Sequence, residues 1–158
     1  MSRILVAWFS AEGNTTIPAK ALAEAAGADL FEIRPITPYT AEDLNWRNMK
    51  SRSVVEMFTP NCRPAVLETC ENIADYDMVF LGFPIWCLIA PTIVNTFLES
   101  YDLSGKTIIP FATSGGSGMG KVNESLHPSA PESRILEGKL LNRYTQAELE
   151  AWVRELGL

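Results

Sequence analysis

The stretch ILVAWFSAEGNTTIPAKALAEAAG, residues 4–27, changes character twice. Ile4 to Phe9 is a continuous apolar run with β-branched and aromatic residues, the pattern of a strand buried on both faces. It stops in SAEGNT, residues 10–15, a cluster of small, hydroxylated and amide residues around one glycine. Ala19, Leu22, Ala23 and Ala26 then recur at helical spacing and form one apolar face. Pro18 is tolerated only in a first helical turn, so this helix is expected to start near Gly13–Asn14, and Gly27 is a stop signal. A buried strand that runs through a polar glycine loop into a helix is the opening half of a βαβ unit.

The alternation continues outward from there. DLFEIRP (29–35), DMVFLGF (77–83), KTIIPFAT (106–113) and the short RILEG (134–138) read as further strands. Ile93, Val94, Phe97, Leu98 and Tyr101 mark a helix opened by Pro91. In the last helix Thr145 and Glu148 form a capping box, and Leu149, Trp152, Val153 and Leu156 form the buried stripe. Strands alternating with helices predict a parallel sheet covered on both faces. Residues 36–63 depart from this order. They are polar, mixed in charge and long for a connection, which points to an excursion over a site or to a subunit contact. With no repeat, low-complexity run or linker, residues 1–158 read as a single domain.

Composition narrows the function. The chain is 47% hydrophobic and 20% charged, as soluble globular proteins are, and its net charge of −6 suits neither nucleic acid nor an anionic membrane as main partner. The N-terminal apolar run lacks a basic leader and a cleavage site, and no stretch has transmembrane length, so a cytoplasmic protein is expected. Cys62, Cys70 and Cys87 form no CxxC pair and are odd in number, which fits a reducing compartment. With one histidine besides, no metal site is expected.

In open parallel α/β sheets, ligands bind at the carboxyl ends of the strands. Here the first strand ends in SAEGNT (10–15), the third in PIWC (84–87) and the fourth in TSGGSG (113–118), and parallel strands bring the three loops to one edge. The first loop offers backbone N–H groups and a helix dipole to an anion, with Ser10, Asn14, Thr15 and Thr16 as neutral donors. It has neither the lysine of a phosphate-binding P-loop nor G-x-G-x-x-G; the plain alternative is an ordinary helix cap. Trp86 needs cover, either from a flat aromatic ligand or from the neighbouring helix. Gly115, Gly116, Gly118 and Gly120 can bring backbone amides close to a planar polar ring, or form a surface loop. His127 reads as a solvated surface residue, Cys87 as a ligand contact or an ordinary buried thiol. Trp46 and Arg47 read as a cover over the site or a reach to a second subunit.

A phosphate cradle, an aromatic platform and a glycine clamp together describe a flavin mononucleotide (FMN) site. The chain resembles the flavodoxin family over nearly its whole length, through WFSAEGNT (8–15), DYDMVFLGFPIW (75–86), NTFLESYDLSGKTIIPFATSGGSG (95–118) and the closing helix. The resemblance implies an α/β flavodoxin-like three-layer sandwich, a five-stranded parallel sheet of order 2-1-3-4-5 with helices on both faces, and one non-covalent FMN. It also implies that Ser10, Gly13, Asn14, Thr15 and Thr16 hold the phosphate, with backbone help from Glu12. Pro84, Ile85, Trp86 and Cys87 would line one side of the isoalloxazine, and Thr113, Ser114, Gly115, Gly116 and Ser117 the other. No side chain stands out as an acid or base, so the chemistry would be the cofactor's.

Three departures shape the expected activity. The third loop is more similar to the branch related to small FMN-dependent reductases than to electron carriers, whose third loop is acidic and bears a tyrosine. Glu12 stands where the family often has threonine, so its carboxylate must face solvent if a phosphate dianion is to bind. Cys87 and Leu88 stand where the family often has a glycine whose peptide flips as the flavin is reduced. A flip to positive φ costs other residues about 1–2 kcal/mol, which disfavours one-electron chemistry. Two functions are carried forward. One is electron transfer between protein partners, with the acidic surface steering the chain to basic patches. The other is an NAD(P)H:quinone-type oxidoreductase; monomer and homodimer both stay open. A phosphoacceptor signalling domain on the same fold would need acidic residues where Phe83–Pro84 and Ser10–Ala11 stand.

Overall fold

The computed structural model describes residues 3–116 and 118–158. Its strands are β1 (Ile4–Trp8), β2 (Asp29–Glu32), β3 (Met78–Pro84), β4 (Thr107–Thr113), β5 (Arg134–Ile135) and β6 (Lys139–Leu140). Its helices are α1 (Thr16–Ala26), α2 (Arg52–Phe58), α3 (Thr92–Glu99), α4 (Val122–Leu126) and α5 (Gln146–Glu155). The strands pair in parallel in the order β2-β1-β3-β4-β5, with β6 also beside β4. This is the expected flavodoxin-like sheet.

The central strands are apolar throughout because both faces are covered. Leu5, Ala7, Phe9, Val79, Leu81, Phe83, Ile108 and Ala112 share one core with Ile93, Val94, Phe97 and Leu98 of α3 and with Val122 and Leu126 of α4. The alternating residues Val6, Trp8, Phe80, Ile109 and Phe111 share the other with Ala19 and Leu22 of α1 and Leu149, Trp152 and Val153 of α5. A strand's side chains alternate between faces, so each run feeds both layers.

The helix ends follow the sequence signals. Gly27 closes α1 at φ 63°, its N–H reaching the carbonyls of Ala23 and Glu24. Helix α1 starts at Thr16, two residues later than expected, which makes Pro18 its third residue. A first-turn N–H has no intrahelical acceptor, so the ring removes nothing the helix uses. Thr145 caps α5, its hydroxyl oxygen accepting the Glu148 N–H at 3.1 Å.

The fifth strand differs from the expected RILEG run: it breaks after Ile135 and resumes at Lys139. On that edge of β4 the carbonyls of Lys106, Ile108 and Ala112 accept N–H groups from Arg134, Leu136 and Leu141 at 2.9, 2.9 and 2.7 Å. The position between them is Pro110, which has no N–H to return. Gly138 passes so close there that a Cβ would lie 2.8 Å from the Pro110 oxygen.

The excursion is pinched off by an antiparallel bridge between Pro35 and Val66. Ile36 N–H donates to Ala65 O at 3.1 Å, and Leu67 N–H to Arg34 O at 2.7 Å. It holds α2 and a series of turns. Its Tyr39 ring returns to the sheet edge, 5.7 Å from Phe9 and 5.5 Å from Trp86, edge-on to both. Arg52 fixes that return. Its guanidinium lies 3.8 Å from the Tyr39 ring centroid, bonds Glu56 at 3.0 Å, and donates to the carbonyls of Thr37 and Pro38 at 2.7 and 3.3 Å. The Tyr39 hydroxyl donates to the other Glu56 oxygen. Burial, and then the Glu56 carboxylate, push the Tyr39 phenol far above its ordinary value of 10.0.

At the far end of the excursion Arg63 bonds Glu99 of α3 at 2.9 Å, and the Ser129 hydroxyl donates to the same carboxylate at 2.7 Å. The Arg63 hydrogen bond, with help from Ser129, holds Glu99 below its ordinary value of 4.5. The signs give a pH window. A raised phenol pKa contributes stability below 10.0 that is lost as pH rises beyond it. A lowered carboxyl pKa contributes stability above 4.5 that is lost as pH falls. Burial also raises the Cys70 thiol above its ordinary value of 9.0, so thermal melts across pH should show a decline on the acid side below 4.5 and on the alkaline side from 9.0 upward. Arg63→Ala should blunt the acid limb and Tyr39→Phe the alkaline one.

Candidate functional site

Strands β1, β3 and β4 end at one edge, and their loops are tied to one another through Thr113. The hydroxyls of Thr15 and Thr113 lie 2.9 Å apart, both buried. The Thr113 carbonyl accepts the Ile85 N–H at 2.8 Å, and beyond the glycines Lys121 N–H donates to Leu88 O at 3.0 Å. The three loops singled out in the sequence do converge, on bonds between residues far apart in the chain.

In the first loop the Ser10 hydroxyl oxygen accepts the N–H groups of Gly13 and Thr15 at 2.9 and 3.2 Å. These two bonds curl the loop, and Gly13 takes the bend at φ 91°, where an L side chain is strained. Among the described residues the Ser10 hydroxyl meets no acceptor, which leaves its hydrogen for an outside one. Thr15 faces inward, not toward the loop mouth as expected of a ligand hydroxyl. Thr16 accepts the indole N–H of Trp8 at 3.0 Å and keeps its own hydrogen. Asn14 and Glu12 are exposed. Glu12 lines an open cleft of about 520 Å³ shared with Ala41, Glu42, Leu44, Asn45, Trp46 and Arg47. Its carboxylate thus meets the condition set for it in the sequence.

The second loop is a two-residue turn closed by Trp86 N–H to Ile89 O at 3.0 Å and Ile89 N–H to Trp86 O at 3.1 Å. Cys87 and Leu88 both have positive φ, 51° and 70°. This is type I′ geometry, usually built by Asn-Gly, and it costs non-glycine residues about 1–2 kcal/mol each. Cys87 is exposed, which corrects its reading as a buried thiol; Cys62, Cys70 and Cys87 are all free. Ile85 is buried and Pro84 half-buried. Trp86 is half-buried, edge-on to Phe9 at 5.8 Å and to Tyr39. It also packs against the core shared with the helix that follows. Tyr39 carries no motif, so sequence reasoning passed over it.

In the third loop Ser114 N–H donates to the Asn142 side-chain oxygen at 2.8 Å, and the Asn142 amide donates back to the Ser114 hydroxyl at 3.4 Å. Gly116 N–H reaches the same hydroxyl at 3.4 Å; Gly115 and Gly116 are exposed. Ser117 lies outside the described residues. Asn142 was not singled out in the sequence. It is delivered by Leu141, whose N–H closes on Ala112 O. Asn142→Ala should speed amide exchange at Ser114–Gly116 by about tenfold, the worth of one or two hydrogen bonds. Mass-spectrometric exchange reads this; unchanged protection would mean that the loop holds itself.

The remaining candidates stand apart. His127 is exposed. Trp46 is 70% exposed, with the Arg47 guanidinium 5.0 Å from its ring, and both sit at the flank of the first loop beside Glu12. Among the described residues there is no group of three or more His, Cys, Asp or Glu able to hold a metal, and no helix long and apolar enough to cross a membrane.

The comparisons with known proteins agree with this architecture. The sequence model of the flavodoxin family matches residues 3–156. A candidate flavoprotein from Bacteroides eggerthii DSM 20697 is 48% identical over 100% of this chain and 99% of its own, with a TM-score of 0.95. Another, from Bacteroides uniformis ATCC 8492, is 43% identical over 97% and 98%, with a TM-score of 0.92. A flavoprotein from Lactobacillus acidophilus NCFM, solved in complex with FMN, shares the fold at 16% identity over 96% and 99%, with a TM-score of 0.72. No functionally curated protein matches at a significant level. From its sheet order, its three convergent loops and the match over residues 3–156, the chain belongs to the flavodoxin family.

Proposed function

We propose that this protein binds one FMN non-covalently at the carboxyl edge of its sheet and passes electrons through it. The observation that carries the reading is the knot at Thr113, which gathers a donor-rich loop, an aromatic loop and a glycine loop at one place. The residues present fit the cofactor. Ser10 keeps a hydroxyl hydrogen, Asn14 an exposed amide, and the first turn of α1 its unpaired N–H groups, all suited to a phosphate. Gly13 has no atom within 4 Å of where a Cβ would stand, so an anion can approach the backbone. Thr15 and Thr16 support this loop from behind. Pro84, Ile85, Trp86 and Cys87 would border one side of the ring, and Thr113, Ser114, Gly115, Gly116 and Ser117 the other. The bound FMN supplies the electron-accepting ring; the chain holds and orients it. A flavoprotein of the same fold solved with FMN supports the reading.

The turn at Cys87–Leu88 favours the reductase form of this reading, in which a nicotinamide delivers two electrons for a quinone-like acceptor. Flipping the central peptide of a type I′ turn gives type II′, whose first central residue needs a backbone region open in practice only to glycine. Cys87 occupies that position. Leu88 is also held by the Lys121 N–H, and the Gly120 backbone is so close that a Cβ would lie 2.8 Å from the Leu88 oxygen. The turn is thus locked against the flip that supports one-electron chemistry. Stepwise anaerobic reduction of the FMN-loaded protein should bleach the flavin without the long-wavelength band of a half-reduced state, and Cys87→Gly should introduce that band. Strong accumulation of the band in the unmodified protein would favour a one-electron carrier. In either form a reducing, cytoplasmic setting suits three free thiols.

A further inference from the structure

We infer that Trp86, Tyr39 and Glu56 form a relay that moves one electron and one proton together, drawing oxidising equivalents off the indole at the sheet edge into the excursion. Trp86 stands just past the end of β3 and is half-buried. Among the described residues the rings that touch it are Phe9 at 5.8 Å and Tyr39 at 5.5 Å, both edge-on. A benzene ring gives up an electron far less readily than a phenol, so Tyr39 is the donor in contact with the indole. The Tyr39 hydroxyl donates to Glu56, whose side chain is only 12% exposed. The phenol therefore carries its own proton acceptor, and Arg52 Nε holds the other Glu56 oxygen at 3.0 Å, fixing the carboxylate in place.

Arg52 makes the coupling strict. Its guanidinium lies 3.8 Å from the Tyr39 ring centroid, and a cation this close penalises a positively charged ring. The electron can leave Tyr39 only as the proton leaves with it. Until then the phenol keeps its proton, since burial and the Glu56 carboxylate both raise it far above 10.0. The step balances. An indole that has lost one electron to a one-electron oxidant takes one from Tyr39, and the Tyr39 proton passes to Glu56. The products are the restored indole, a neutral phenoxyl radical and a protonated Glu56. An indole that has also lost its N–H proton takes one back from water. While Glu56 is neutral, Arg52 still has the Asp43 carboxylate at 3.9 Å. This inference rests on the aromatic cluster and not on the FMN reading, so cofactor-free protein tests it.

Pulse radiolysis with the azide radical supplies the oxidant, on cofactor-free protein carrying Trp46→Phe. Trp46 is 70% exposed and would otherwise take most of it, while Trp8 and Trp152 are buried. The absorption of the indole radical should decay as that of the phenoxyl radical grows, at one first-order rate independent of protein concentration. Tyr39→Phe keeps the ring, and Glu56→Gln keeps the shape of the acceptor. Each should slow the transfer by at least about tenfold, and heavy water should slow it in the protein that keeps both residues. A transfer as fast in either variant overturns the relay. So does a rate that rises with protein concentration, a rate indifferent to heavy water, or an indole radical that decays with no phenoxyl growth.

Discussion

Gly82→Val should sharply lower the stability and the soluble yield of the protein. Gly82 lies in β3 opposite Phe111 of β4, and the Phe111 ring occupies the space a side chain would need. A Cβ at Gly82 would sit 2.2 Å from the ring tip and 2.4 and 2.8 Å from its neighbouring carbons. Phe111 is fully buried in the core shared with α1 and α5, so the ring has nowhere to go. Overpacking on this scale costs about 3 kcal/mol or more, a large share of the roughly 5–15 kcal/mol that holds a domain together. The consequence reaches the site. Gly82 and Phe111 each stand two residues before the last residue of their strand, Pro84 and Thr113, and their close packing sets how near those strand ends lie. Soluble yield and urea denaturation read the effect. Gly82→Val combined with Phe111→Ala should recover much of that loss; a single variant as stable as the parent would mean that β3 and β4 are not packed this way.

Arg52→Ala should release the excursion while leaving the sheet in place. The guanidinium is shared among Glu56, the Tyr39 ring and two carbonyls. Without it the Glu56 carboxylate, largely buried, keeps only the Tyr39 hydroxyl among the described residues. Breaking one side of such a pair costs about 2–4 kcal/mol. Hydrogen exchange should accelerate across residues 36–63 and stay slow in β1, β3 and β4. Arg52→Lys should not rescue, because a single ammonium cannot fork to a carboxylate and stack on a ring at once. Exchange in the excursion that is unchanged by Arg52→Ala would place its anchor elsewhere.

Much of the fold is legible because its signals are local. The runs at Ile4–Phe9, 77–83 and 106–113 are apolar on both alternations, Gly27 and Pro91 punctuate the helices, and Thr145 caps the last one. The break in the fifth strand is not local: it comes from Pro110 on the neighbouring strand. Two loops of the candidate site are legible as polar, glycine-bearing interruptions at strand ends, and the third by its tryptophan. The bonds that make them one site are not. Thr15 and Thr113 are 98 residues apart, and Asn142 meets Ser114 only because β6 registers on β4. Tyr39 and Arg52 lie in a segment whose polar composition hides a half-buried ring. The positive-φ turn at Cys87–Leu88 is silent in sequence because neither residue is the glycine or asparagine such a turn ordinarily shows.

The most direct measurement is a fluorescence titration of FMN, and in parallel of riboflavin, into the cofactor-free protein. The expected result is one FMN bound per chain, with riboflavin bound at least about tenfold more weakly, since it lacks the phosphate that charge-assisted bonds at the first loop would hold. Failure to take up FMN, or equal affinity for the two flavins, would contradict a flavin site anchored at Ser10–Thr16.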